Sequence, residues 1–311
     1  MGIAEAEQVR DAAILGLLDR SAVLAAHPRS VEELVGGLTN RNFKVTNPNG
    51  CYVARVSSTQ GDLLAINREH EHRNSIAAAE AGVGAPVVDY LPGEGLLVVG
   101  FLDGRTYHDA DLSNLDNLRR VAESCRELHA GPRFNNGFSM FDVQPRYLNI
   151  VRSHNLRLPD RYLDFLPQVE RIQQALAVRD EGTVPCNNDL LAENFIDDGA
   201  KIWIIDYEYS GNNDPCFELG NIWSEASLPI EHLGELVTAY YGRPLRNKFA
   251  RARLLGLMSK YGWMLWASIQ AGTSEIDFDF WSWGMEKYER AVAEFDGPEF
   301  ETLLADAQQT D

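Results

Sequence analysis

Lysine is scarce in this chain, cysteine is sparse, and no apolar stretch is long. Only five of the 28 basic residues are lysine, and 46 acidic residues outweigh them to a formal charge of −18. A surface of that sign repels phosphate backbones and anionic lipid, which argues against nucleic acid and membrane as partners. A small cationic compound suits it better. The four cysteines, Cys51, Cys125, Cys186 and Cys216, are never closer than 30 positions. That spacing holds no C-x-x-C pair for zinc or redox work and argues against a disulfide framework. The longest apolar run, Leu96 to Leu102, falls far short of the ~20 residues of a membrane span. The acidic opening Met-Gly-Ile-Ala-Glu-Ala-Glu lacks the apolar core of a signal peptide, so a cytoplasmic location is expected.

What is present is a globular composition, 45% hydrophobic and 24% charged over 311 residues. It is enough for one domain of two lobes or for two small domains. Residues 4–27 carry helical periodicity. Strand-like segments at 31–35 and 43–47 flank the turn-forming cluster Gly36-Gly37-Leu38-Thr39-Asn40-Arg41-Asn42, and Pro48-Asn49-Gly50 turns into a third strand over 51–56. Asn67 can cap a helix running to about Ala81, where Gly82, Gly84 and Pro86 stop it. A further hairpin pairs 87–91 with 96–101. From Asp103 the pattern is mainly helical, with long helices predicted over 112–130 and 162–178. These signals describe an α+β chain with a small antiparallel-sheet N-lobe (1–102), a larger mainly helical C-lobe (103–311) and a hinge near 99–104.

The chemistry concentrates in one stretch. Asp189 stands five residues before Asn194, and Asp206 ends the apolar run Ile202-Trp203-Ile204-Ile205. Between them, Asp198-Gly199 flanked by apolar runs is a strong hairpin signal. A hairpin brings the start of its first strand beside the end of its second, so Asn194 and Asp206 become neighbours, as two oxygen ligands of one hard cation must be. Asp189 lies just upstream. Singly, an Asp or Asn in a loop usually makes a turn or a cap. Together the three match a phosphoryl-transfer site that holds Mg-ATP over a hydroxyl, with Asp189 as proton acceptor and Asn194 and Asp206 on the metal.

A second cluster lies near the end. Trp263, Trp266, Trp281 and Trp283 fall within twenty-one residues, close to Asp277 and Asp279. Aromatic stripes on helices are usually core. Here the indole density beside carboxylates suggests a cage for an ammonium group, which aromatic faces attract.

The block Asn187-Asn188-Asp189-Leu190-Leu191-Ala192-Glu193-Asn194-Phe195 is similar to the H-N-D-L-x-x-x-N motif of the choline/ethanolamine kinase family, within the wider aminoglycoside phosphotransferase and protein-kinase-like superfamily. Ile205-Asp206-Tyr207-Glu208-Tyr209, continued by Glu218-Leu219-Gly220-Asn221, resembles the family's metal-binding segment. One departure is Asn187, where the family has a histidine expected to brace the loop, and an Asn can also donate and accept. The resemblance runs from about residue 34 to 290 and implies a bilobal protein-kinase-like fold, ATP and Mg²⁺ as cofactors, and a small cationic amino alcohol as acceptor.

The same resemblance implies the remaining site residues. Gly36, Gly37, Thr39 and Asn40 match a nucleotide loop whose glycines let backbone approach phosphate. Arg55 occupies the third-strand position of the kinase lysine and would grip phosphates. Its carboxylate partner is Glu69 or Glu71, and the resemblance favours Glu71. Gly100 and Leu102 match the backbone groups that meet adenine, and Glu208 would support the metal. Trp263-Met264-Leu265-Trp266 resembles the family's W-x-x-W, and Tyr209, Phe278 and Trp283 match the rest of its choline pocket, leaving Trp281 to packing. Rival readings are another cationic hydroxyl acceptor, such as ethanolamine or an aminoglycoside, and a catalytically silent pseudokinase.

Overall fold

The computed structural model describes residues 12–34, 39–57, 63–64 and 66–311. Val35, Gly36, Gly37 and the start of the opening helical pattern (residues 4–11) lie outside the described residues. Helix α1 (Ala12–Leu18) ends well before residue 27. The Ser21 hydroxyl donates to Asp89 at 2.6 Å, tying the following turn to the sheet instead of extending the helix. Strands β1 (Ser30–Leu34), β2 (Asn40–Asn47) and β3 (Gly50–Ser57) run antiparallel. After α2 (Arg68–Glu80), β4 (Val87–Leu91) and β5 (Leu96–Gly100) complete a five-stranded sheet ordered β1-β2-β3-β5-β4. Alternation along β2 sends Phe43 and Val45 to one face. There they meet Ile14, Leu18, Ala54, Leu96 and Val98 in a small core of their own.

Helix α2 begins where the Asn67 side chain accepts the N–H groups of Glu69 and His70 at 3.0 and 3.1 Å. It stops before Gly82, whose φ of +84° is left-handed. Its Ala78, with Val83 beyond, joins the larger core of the helical half and not the sheet's core. The helix therefore bridges the two halves.

Past Gly100 come β6 (Arg105–Thr106), α3 (Asp109–Leu112), α4 (Leu115–His129), α5 (Met140–Ser153) and α6 (Leu166–Ala177). The helix expected over 112–130 is interrupted because Asn114 caps α4 afresh, accepting from Asp116 and Asn117. The one expected over 162–178 opens as a 3-10 turn, Tyr162–Phe165, and α6 starts with Pro167 in its first turn, where a missing N–H costs no bond. Helix α5 has no counterpart among the helices expected from sequence, and Pro145 lies inside it. Short strands follow, β7 (Val184–Cys186), β8 (Phe195–Asp197), β9 (Ile202–Ile204) and β10 (Gly211–Asn213), pairing as β6-β8-β9 and β10-β7.

Helices α7 (Pro215–Glu225), α8 (Ile230–Tyr241), α9 (Arg246–Thr273), α10 (Phe280–Phe295) and α11 (Phe300–Ala307) finish the chain. From Leu254 to Gln270, α9 is buried on every side. Helix α7 crosses it at a glycine pair, where a Cβ on Gly220 would collide with the Ala252 carbonyl and the Gly256 backbone. Among the described residues no helix is long and apolar enough to cross a membrane.

Candidate active site

The segment joining β7 to β8 is held by side chains that bond its backbone. Asn188 has a left-handed φ of +69°. Its amide donates to the carbonyls of Cys186, Tyr209 and Gly211 at 3.1–3.2 Å, which offsets the strain of that conformation. Asn187 donates to the carbonyls of Ile205 and Asp206 at 3.1 and 2.8 Å and accepts the Asp189 N–H at 3.1 Å. From α7, buried Glu218 accepts the N–H groups of Asn187 and Asn188, and Asn221 accepts that of Leu190 at 2.7 Å. Asp189 is thus fixed from both sides.

The Asp-Gly hairpin forms as β8 and β9, with Phe195 opposite Ile204, and the Ile205 N–H donates to the Asn194 carbonyl at 3.0 Å. Asp206 is therefore one residue from a direct pair with Asn194. The Asn194 amide nitrogen donates to the Asp189 carbonyl at 2.7 Å, drawing the three residues into one cluster.

From β3, Arg55 reaches into this cluster. Its Nη2 lies 2.6 Å from Asp206 Oδ1 and 3.0 Å from Glu208 Oε2, and its Nε lies 3.2 Å from Glu71 Oε1. Of the two α2 carboxylates, Glu71 is buried against Arg55, while Glu69 is exposed and pairs with Arg73 at 2.7 Å. Glu208 also receives Thr39 Oγ1 and Asn40 Nδ2, both at 2.8 Å, and Arg68 Nη1 at 3.2 Å. So Thr39, Asn40 and Glu208 bond one another here. Gly36 and Gly37 lie outside the described residues. Gly100 ends β5 with its N–H on the Pro86 carbonyl at 2.8 Å, and Leu102 lies half-buried two residues on.

The electrostatics follow from burial among like charges. Desolvation pushes Asp189 well above the ordinary carboxylate range, reinforced by Asp206, Glu225 and Glu208 and opposed by Lys287. The residue is still partly open to water, which tempers the effect. Burial also raises Asp206, with Arg55 opposing. Burial works the same way on Glu208, but Arg55, Arg68, Asn40 and Thr39 outweigh it and hold that carboxyl low. Asn194, Asp206 and Glu208 offer only hard oxygen donors, the set that suits Mg²⁺. A cation among them would relieve the burial that disfavours the charged form of Asp206.

The aromatic residues form a contiguous string beside the cluster. Tyr209 and Trp263 have centroids 5.1 Å apart, and Trp266 Nε1 donates to the Tyr209 hydroxyl at 2.7 Å. Trp266 meets Trp283 at 5.6 Å and Phe280 at 5.7 Å, and Phe280 meets Phe278 at 4.9 Å. The Tyr209 hydroxyl, raised mainly by burial, also feels the charge of Asp189. Trp263 and Trp266 are buried, whereas Phe278 is 40% exposed. Trp281 stacks under the Arg157 guanidinium at 3.7 Å, outside the string.

Three residues here escape the sequence reading: Arg68, Glu225 and Lys287. Two carry a usable signal. Arg68 stands three residues before Glu71 and Lys287 four after Trp283, and both are spacings that share a helix face.

A family model described as choline/ethanolamine kinase matches residues 31–237. Protein LicA of Haemophilus influenzae is 28% identical over 261 residues, covering 78% of this chain and 94% of that protein. Ethanolamine kinase 2 of Mus musculus is 28% identical over 262 residues, covering 74% of this chain and 66% of its own length. Among solved structures, a choline/ethanolamine kinase family protein from Mesorhizobium loti superposes with a TM-score of 0.84 at 30% identity, covering 95% of this chain and 98% of that one.

Proposed function

Because this chain belongs to the choline/ethanolamine kinase family, we propose that it transfers the γ-phosphoryl group of ATP to the hydroxyl of choline. What supports this is the gathering of Asp189, Asn194 and Asp206 at one hairpin, beside the aromatic string from Tyr209 to Phe278. Asp189 accepts the hydroxyl proton as the oxygen closes on phosphorus, and its raised proton affinity suits that task. Arg55, kept in place by Glu71, binds phosphate oxygens together with residues 36, 37, 39 and 40. Asn194 and Asp206 hold Mg²⁺, with Glu208 in support. When bound, the ion neutralises charge on the phosphates. Catalysis then comes from alignment and charge compensation, with no covalent intermediate. Nucleotide contacts at Gly100 and Leu102 and the lobe boundary near residue 102 belong to the same reading.

The aromatic faces favour trimethylammonium over a primary ammonium, which prefers carboxylates. Coupled ADP-release assays with choline, ethanolamine and an aminoglycoside are the direct test. Choline gives the highest kcat/KM on this reading, and no turnover with it rejects the assignment. Asp189→Ala is expected to bind nucleotide as the wild type does while kcat falls roughly 1,000-fold or more. Normal turnover in that variant removes Asp189 from the proton-accepting role.

A further inference from the structure

Lys287 is a buried ammonium at the edge of the aromatic string. Its Nζ stands 4.1 Å over the centroid of Trp283, one helical turn earlier on α10, and donates to Glu225 Oε2 on α7. Both residues are more than nine-tenths buried. The other Glu225 oxygen, Oε1, is buried with no hydrogen-bond partner among the described residues. The pair is close to the reacting end of the site, since Glu225 stands one helical turn past Asn221, which accepts the N–H of Leu190 beside Asp189. A cation over an indole face and against a carboxylate is the arrangement an amino alcohol headgroup would adopt.

We propose that Lys287 is a specificity-determining residue, a tethered cation that competes with the acceptor's own ammonium for Trp283 and Glu225. This rests on the kinase reading above and goes beyond it by naming what sets headgroup choice. With Glu225 largely neutralised by Lys287, the attraction left for a headgroup comes mainly from aromatic faces, which favours trimethylammonium. With the lysine removed, the carboxylate has no ammonium of the chain against it and is left to accept N–H bonds from a headgroup. A primary ammonium supplies such bonds and a quaternary one does not.

The experiment compares the full-length wild type with Lys287→Met, Lys287→Arg and the double variant Glu225→Gln/Lys287→Met. Lys287→Met raises kcat/KM for ethanolamine relative to choline by roughly tenfold, and Lys287→Arg keeps the wild-type ratio. Tetramethylammonium, which lacks the reacting hydroxyl, is followed by tryptophan fluorescence. Its binding tightens about fivefold in Lys287→Met and in the double variant, and stays at the wild-type level in Lys287→Arg. The double variant covers the case in which Lys287→Met fails to fold, because removing both members of a buried pair leaves no charge unmatched. An unchanged acceptor ratio in folded Lys287→Met, or unchanged tetramethylammonium binding in the double variant, reduces the pair to a staple between α7 and α10 and overturns the inference. A wild type that turns over neither alcohol fails differently, because it overturns the kinase reading itself and this inference with it.

Discussion

Position 187 carries an amide where the family pattern has an imidazole, and its contacts explain why that exchange is compatible with the loop. Two donated bonds to the carbonyls of Ile205 and Asp206 and one accepted from the Asp189 N–H make a brace between Asp189 and Asp206, the residues proposed to accept the proton and to hold the metal. A neutral imidazole has one N–H and one acceptor nitrogen, so the amide supplies at least as many bonds. Asn187→Ala removes all three. It is expected to lower kcat roughly 10–100-fold, the cost of letting a catalytic group drift, with acceptor KM within about twofold and the fold intact. Steady-state kinetics with circular dichroism checks this, and an unchanged kcat means the backbone bonds to Glu218 suffice alone.

At the scale of elements, the β8–β9 hairpin is useful only if it stays in place. Asp197 pins it, receiving Arg120 of α4 at 2.5 and 2.7 Å and the Tyr107 hydroxyl at 3.1 Å. The Arg120 hydrogen bonds drive the Asp197 carboxyl far below its usual value against the desolvation that opposes them. Because the folded state holds this group as an anion more tightly than the unfolded chain does, its contribution is complete above the unfolded value near 3.9. It is lost as pH falls below that value. Asp197→Asn is expected to cost about 1–2 kcal/mol at pH 7, and the difference from wild type should shrink below about pH 4. Denaturant melts at several pH values measure it, and a pH-independent difference contradicts the ion-pair account. The α7–α9 crossing makes a separate demand. At Gly220 any side chain meets the α9 backbone at Ala252 and Gly256, so Gly220→Ala is expected to destabilise by about 1–3 kcal/mol. It should also lower kcat, because Glu218 and Asn221 on the same helix hold the loop that carries Asp189. A stability loss with kcat untouched would separate the crossing from the loop.

For the whole molecule, the sheet with its small core and the helical half with its large one are joined through α2 and through a group of charged and polar side chains around Glu208. Glu208, from the helical half, accepts from Asn40 and Arg55 of the sheet, from Thr39 just before β2 and from Arg68 of α2. Glu208→Gln leaves the two guanidinium groups with less compensating charge, and the expected loss is about 3 kcal/mol of stability. Since the cores are separate, the loss should fall on the connection between them. In hydrogen exchange, β2 and β3 should open earlier while α9 keeps its protection. Uniform loss of protection across both halves would mean that Glu208 supports one cooperative unit.

Much was legible from residues alone, because some signals act over a few positions. Asn67 as a cap, Gly82 as a stop, and Asp198-Gly199 as a hairpin turn are local backbone chemistry, so the hairpin that draws Asn194 toward Asp206 could be read before any fold was known. The break between α3 and α4 and the end of α1 at Leu18 were not legible, since a cap at Asn114 and the Ser21–Asp89 bond compete with a helical period that continues past them. Partner choice was left to tertiary structure, which turned Glu71 and not Glu69 toward Arg55, gave Thr39 and Asn40 to Glu208, and set Lys287 over Trp283 against a carboxylate on another helix. The physical reason is range: turns and caps are settled within one or two turns of chain, whereas the partner of a buried charge depends on which distant element arrives to share its low-dielectric surroundings.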